Sequence, residues 1–98
     1  MSTDHDDWFV REILVHEHAL TRMLLRNWPH RDEVHDLRQE IYARVYEAGL
    51  DKRPTTPAAF LFATARHLMA DRARRSRVVS IEPMGDFEPS NVYLIDEV

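Results

Sequence analysis

The residues best suited to chemistry in this sequence are the arginines between Thr56 and Arg77. This stretch, TPAAFLFATARHLMADRARRSR, carries five arginines and a single acid, Asp71. Clustered cations bind polyanions, because each cation that neutralises a phosphate releases a counterion. Cations at a helix end also complement the helix dipole, so the residues alone favour polyanion binding and helix stabilisation equally. The five are Arg66, Arg72, Arg74, Arg75 and Arg77.

Charge is distributed unevenly along the chain. Residues 1–56 carry eight Lys/Arg and eleven Asp/Glu, residues 57–77 carry five and one, and residues 78–98 carry none and five. The net charge of −4 argues against a nucleic-acid partner, but the basic middle segment overrides that argument locally.

The sequence does not favour a metal site, an enzyme active site or a membrane segment. The six histidines include no pair at the i, i+4 spacing of a helical zinc site, and there is no cysteine. We find no nucleophile–base pair and no glycine-rich phosphate loop, so neither an enzyme nor a cofactor is predicted. The acidic N-terminus is no signal peptide, and no stretch could insert in a membrane. A chain without cysteine fits a reducing cytoplasm.

Helix-favouring residues dominate, and there are only two glycines. We expect an all-α domain over residues 1–77, a small bundle of three main helices in which a break would add a fourth. The first helix is predicted from a cap at Asp6 or Asp7 to about Trp28, where Pro29 ends it. Its buried face is predicted to hold Phe9, Val10, Ile13, Leu14, His16, Leu20, Leu24 and Leu25.

The second helix is predicted to be capped by Asp32 and followed by Gly49 at its end. Its opposite faces differ in character, and Glu40 and Arg44 are spaced for an ion pair. A buried seam is predicted at Val34, Leu37, Ile41, Val45 and Ala48. The polar face carries Asp36, Gln39, Glu40 and Arg44.

The third helix is predicted to begin after a cap at Thr56, with Pro57 at its first position. Asp71 is spaced to pair with Arg75. Trp8, Trp28, Phe60 and Phe62 are expected to be core residues, with Phe62 the best candidate for base stacking. The buried stripe is predicted at Leu61, Ala65, Leu68 and Arg72. Residues 78–98, with five acids, are interpreted as an acidic linker or tail that is partly disordered.

Two blocks of residues resemble region 2 of the extracytoplasmic-function sigma factors, in the sigma-seventy superfamily. Residues 36–40, Asp-Leu-Arg-Gln-Glu, resemble the "DLxQE" helix of that family. Residues 59–67, AFLFATARH, followed by Asp71 and the Arg74–Arg75 pair, resemble its "AFLxxIARNxxxDxxRR" helix. The resemblance covers about residues 8–77.

The resemblance implies a transcription initiation domain with two partners. One is core RNA polymerase, whose β′ clamp helices would meet Asp36, Leu37, Gln39, Glu40 and Arg44. The other is the promoter minus-ten element, whose non-template strand would be held single. The residues that the resemblance implies in DNA binding are Lys52, Arg53, Arg66, His67, Arg74 and Arg75. To these the residue chemistry adds the hydroxyl donors Thr55 and Thr56 and the stacking candidate Phe62. Lys52 and Arg53 lie in the loop that, in the family, receives a flipped-out base.

The sequence departs from the family pattern at Thr64, where isoleucine is usual, and at His67, where asparagine is usual. The family also carries a helix-turn-helix domain that reads the minus-thirty-five element. The chain is either a domain excised from a longer protein or a natural single-domain variant. We favour the first interpretation, a monomeric domain whose residues 78–98 lead to that second domain. The alternatives are a helical interaction module captured by an anti-sigma factor, with little DNA binding of its own, and an unrelated helical nucleic-acid binder.

Overall fold

The computed structural model describes residues 3–79, with side chains as far as Ser76. Four α-helices follow one another in this range, joined by two 3-10 turns and one loop. The helices are α1 (Thr3–Glu12), α2 (Glu17–Asn27), α3 (Val34–Asp51) and α4 (Pro57–Val79). The predicted all-α bundle, with a break that adds a fourth helix, is confirmed. The acidic segment predicted to be a linker or tail lies outside the described residues from residue 80 onward.

The break falls within the predicted first helix, at the 3-10 turn Leu14–His16. Ile13 is fully buried at this bend, and its N–H donates to the carbonyl of Phe9 at 2.9 Å. Because the two segments are no longer one continuous helix, the predicted single face does not hold. Val10 was expected to widen that face, but it is exposed. The helix also begins earlier than predicted, at Thr3 rather than after Asp6 or Asp7.

At the connection between α2 and α3, one prediction is confirmed and one is wrong. Helix α2 ends before Pro29 as predicted, and Trp28 is extended (φ −106°, ψ 127°) because proline disfavours helical geometry in the preceding residue. Asp32 does not cap α3, because it lies inside the 3-10 turn Arg31–Glu33 and no side-chain cap is formed. The indole of Trp28 instead donates to Glu33 Oε1 at 2.9 Å across this connection.

Helix α3 is central, packing against α1, α2 and α4. Its predicted seam is buried from Val34 to Val45, while Ala48 is half-buried. Gly49 was wrongly predicted to follow the helix, because α3 continues to Asp51. A Cβ at Gly49 would lie 2.8 Å from Trp8 Cζ3, so the absent side chain lets α1 approach α3.

Helix α4 begins at Pro57 as predicted, and the Thr56 carbonyl accepts the first helical hydrogen bond, from the Phe60 N–H at 3.0 Å. The stripe Leu61, Ala65 and Leu68 is buried against α3, which confirms that part of the prediction. None of the helices formed by residues 3–79 has the length and apolarity that a membrane span needs. The largest fully buried side chains are Ile13, Leu20, Leu24, Leu37, Ile41, Val45, Leu61, Leu68 and Met69.

Candidate protein and nucleic-acid interfaces

The outward side of α3 carries most of the residues implied in binding a protein partner. Asp36, Gln39 and Arg44 are exposed, and Glu40 is half-buried. They lie together on the side of the helix that does not pack on the core, so they form one polar surface, which we call the α3 surface. It offers two carboxylates and an amide to a basic partner, an arrangement that favours charge complementarity.

Leu37 does not belong to the α3 surface. Its exposed fraction is 0%, and it packs in the core between the polar residues and the rest of the bundle. The implied contact between Leu37 and polymerase is therefore corrected, because no atom of this side chain reaches the surface. Its place in the predicted buried seam is confirmed.

Glu40 connects α3 to α4. Its Oε2 accepts from Arg44 Nη2 at 2.9 Å, which confirms the predicted i, i+4 pair. Its Oε1 accepts from Arg72, 32 residues further along the chain. Hydrogen bonds from Arg72 and Arg44, together with their positive charges, outweigh desolvation and lower the pKa of the Glu40 carboxyl. One carboxylate thus fixes the spacing of two helices at the edge of the α3 surface.

This lowered pKa predicts a loss of stability in acid. A carboxyl with a lower pKa in the folded state binds fewer protons there than in the unfolded state, so its stabilisation is present above its ordinary pKa of 4.5. We expect the free energy of unfolding to fall as the pH drops through about 5 to 3, measured by urea titrations monitored by circular dichroism.

Glu40→Gln should flatten this pH dependence, whereas Glu47→Gln should leave it unchanged. Glu47 is exposed on the same helix, and no ion pair joins it to another described residue. A Glu40→Gln variant with the wild-type acid profile would contradict the assignment. The Asp71 carboxyl, whose pKa is also lowered, contributes to the acid sensitivity that remains in Glu40→Gln.

The end of α4 carries two exposed arginines that share one acid. Arg74 Nη2 and Arg75 Nη2 each donate to Asp71 at 2.8 Å, which confirms the predicted Asp71–Arg75 pair. The hydrogen bond from Arg75 is the largest of the effects that lower the pKa of Asp71. Exposed pairs of this kind are weak enough for a phosphate to displace the carboxylate.

The α4 residues implied in DNA binding lie on different sides of the helix. Phe62 and Arg66 are one turn apart and half-buried. The rings of Phe62 and His16 meet edge to face, with 6.3 Å between their centroids. Burial lowers the pKa of the Arg66 guanidinium. His67 and Arg74 are exposed and two turns apart on another side. A strand that follows one face of α4 would therefore contact only part of the implied set.

The α3–α4 loop, residues 52–56, presents the other implied DNA-binding residues. Lys52, Arg53, Thr55 and Thr56 are all exposed. Arg53 Nη2 donates to Asp4 Oδ2 at 2.9 Å and to the Asp4 carbonyl at 3.3 Å. Its guanidinium carbon also lies 5.5 Å from the centre of the Trp8 ring. One of the two loop cations is thus already engaged by α1.

No sequence pattern indicates a role for Asp4 or His5, which connect α1 to α3 and the loop. His5 is buried, its Nε2 lies 2.9 Å from the Tyr46 carbonyl, and its ring stacks on Trp8. The contact with Tyr46 spans 41 residues, beyond any local spacing rule. Within residues 3–79 no group of three or more metal-ligating side chains comes together.

One family model covers most of this chain. A family model described as "Sigma-70 region 2" matches residues 13–78, more than half of the chain. No curated protein and no solved structure matches the sequence or the fold. The matched range includes α2, α3 and all but the last residue of α4, and it begins after α1.

Proposed function

The chain belongs to the sigma-70 region 2 family, and from that membership we propose that it melts the promoter minus-ten element while α3 binds polymerase. The family is one of non-enzymatic transcription initiation domains that bind core RNA polymerase and recognise the minus-ten element. The partner on polymerase is proposed to be the β′ clamp-helix coiled coil. The DNA partner is proposed to be the unpaired non-template strand.

The observation that carries the proposal is the α3 surface, where motif residues of the family lie side by side. Asp36, Gln39 and Glu40 are on the outside of α3, and Leu37 of the same motif lies behind them in the core. Leu37 therefore holds the helix in place while its neighbours make contacts. Acids and an amide suit a basic coiled coil, and such charge complementarity speeds encounter and fixes the register of the partners.

The DNA side is proposed to combine the loop with α4. Opening a duplex requires cations for phosphates and surfaces for unstacked bases. Lys52 and Arg53 precede the start of α4, where free backbone N–H groups and the helix dipole favour a phosphate. Arg74 and Arg75 add charge at the far end of the same helix. Unstacking a base costs a few kcal/mol, which several such contacts offset.

We further assign the chain to the extracytoplasmic-function group, on the two motif blocks. In that layout residues 1–77 form the region 2 domain. Residues 78–98 link it to a helix-turn-helix domain that reads the minus-thirty-five element. Sequencing the full gene and finding such a domain downstream of Val98 would support this assignment.

Two binding measurements test the function through variants that separate the two surfaces. Arg74→Glu/Arg75→Glu is expected to weaken binding to random-sequence single-stranded DNA by on the order of tenfold, because two phosphate-binding charges are reversed. Its affinity for the isolated β′ clamp helices should not change. Asp36→Lys should weaken binding to the clamp helices and leave the affinity for DNA unchanged, since Asp36 is exposed on the α3 surface. Fluorescence anisotropy measures both affinities.

Each variant serves as the control for the other, and circular dichroism verifies that both are folded. Asp36 is preferred to Glu40 for this test because removing Glu40 would also release Arg44 and Arg72. If neither variant changed its expected partner's affinity, the residue assignments would be wrong. Binding to an anti-sigma factor with no measurable affinity for DNA or polymerase would support the interaction module instead.

A further inference from the structure

The first turn of α1 brings a carboxylate onto the loop that is proposed to receive a flipped base. Asp4 accepts hydrogen bonds from one nitrogen of Arg53 with both its side chain and its backbone carbonyl, at 2.9 and 3.3 Å. The two residues are 49 positions apart in the sequence, so the contact exists only because α1 folds back on the end of α3.

The packing of α1 fixes the position of Asp4. Trp8 is buried against Gly49, and the ring of His5 stacks on Trp8. Tyr46 donates from its hydroxyl to Asp6 Oδ1 at 2.7 Å. These contacts lie within four residues of Asp4 and within seven of Arg53, so the first turn of α1 is held beside the loop.

Both side chains of the Asp4–Arg53 pair are exposed enough for a phosphate to replace Asp4. The side chain of Asp4 is 90% exposed and that of Arg53 is 39% exposed. Ion pairs in water are weak because high dielectric screens the charges and two side chains lose rotamer freedom. A phosphate that binds Arg53 must therefore displace a weak partner, and it also meets repulsion from the carboxylate it displaces.

We propose that Asp4 sets the affinity of this domain for single-stranded nucleic acid by competing with a backbone phosphate for Arg53. This inference rests on the proposed function of the loop. The carboxylate takes the position of a phosphate in the free domain and leaves when nucleic acid binds. The acidic first turn of α1 thereby weakens binding to every sequence equally, because it competes with the phosphate and not with a base.

The test compares Asp4→Asn with Asp7→Asn. Both variants remove one negative charge from α1, but Asp7 is exposed and forms no ion pair with a described residue. Asparagine at position 4 keeps a hydrogen-bond acceptor and removes only the charge. Asp4→Asn is expected to tighten binding to random-sequence single-stranded DNA by about 1.5- to 5-fold, the range that exposed ion pairs are worth. Asp7→Asn should have a smaller effect.

A double variant distinguishes direct competition from a general charge effect. In an Arg53→Ala background the Asp4→Asn gain should disappear, because the residue for which Asp4 competes is absent. The gain should also shrink as salt rises, since screening weakens the competing carboxylate. Thermal melting verifies that each variant is folded.

The outcomes separate this inference from the proposed function. DNA binding that is unchanged by Asp4→Asn, or changed equally by Asp7→Asn, would overturn the competition alone. Weaker binding by Asp4→Asn would also overturn it, because Asp4 would then hold Arg53 ready for DNA. Absence of DNA binding by the wild type and by every variant would overturn the proposed function and this inference together.

Discussion

Leu37→Ala is expected to lower the free energy of unfolding by about 2–5 kcal/mol, measured by urea denaturation. Leu37 is fully buried on the seam of the central helix, where α3 packs against α2 and α4. Truncation removes buried methyl groups and leaves a cavity that a close-packed core fills only partly. Few single substitutions in this domain should have a larger effect.

Leu50→Ala is the matched control. It makes the same change on the same helix at a side chain that is 57% exposed, and it should alter stability by no more than about 0.5 kcal/mol. The comparison also tests whether Leu37 is a core residue. If Leu37→Ala weakened clamp-helix binding in a domain of unchanged stability, Leu37 would be a contact residue and its assignment to the core would be wrong.

Leu37 illustrates what the sequence could predict about α3. Its spacing from Val34 and Ile41 indicates a buried residue, and that prediction is confirmed because helical periodicity determines which side chains share a face. Its membership of a family motif suggested a contact with polymerase. A motif records which residues recur together, whereas periodicity records where each side chain points, and for this residue the periodicity was the better guide.

The same distinction applies to the ion pairs. Glu40–Arg44 and Asp71–Arg75 follow from the i, i+4 rule, and both are formed. Glu40–Arg72 and Asp4–Arg53 join residues 32 and 49 positions apart. Such pairs depend on how helices pack, so a spacing rule cannot find them. They are also the pairs that link the two candidate interfaces to the rest of the bundle.

Helix boundaries were predictable where the backbone itself sets them. Pro29 ends α2 and Pro57 begins α4 because the proline ring restricts geometry without regard to tertiary contacts. Gly49 was misinterpreted because its usual place after a helix end is a local preference. Here the ring of Trp8 on α1 requires a glycine at position 49. The only local hint is that Gly49 stands among helix-forming residues.

Trp8 is the second residue whose truncation should destabilise the domain strongly. Trp8→Ala is expected to lower the free energy of unfolding by about 3–5 kcal/mol, again by urea denaturation. Trp8 is buried, stacks on His5 and packs against the backbone of α3 at Gly49. Helix α1 precedes residue 13, where the family match begins, so this variant measures how strongly that helix is joined to the matched domain.

Val10→Ala and Gly49→Ala provide the controls. Val10 is 57% exposed on the same helix, and its truncation should change stability by no more than about 0.5 kcal/mol. Gly49→Ala should destabilise the wild type, since its Cβ would meet Trp8 carbons at 2.8 and 2.9 Å. In the Trp8→Ala background the same change should lower stability by less than in the wild type, because both Trp8 contacts are gone and only the 3.0 Å approach to His5 Cε1 remains. A Gly49→Ala effect of equal size in both backgrounds would show that the ring of Trp8 does not limit the approach of α1 to α3.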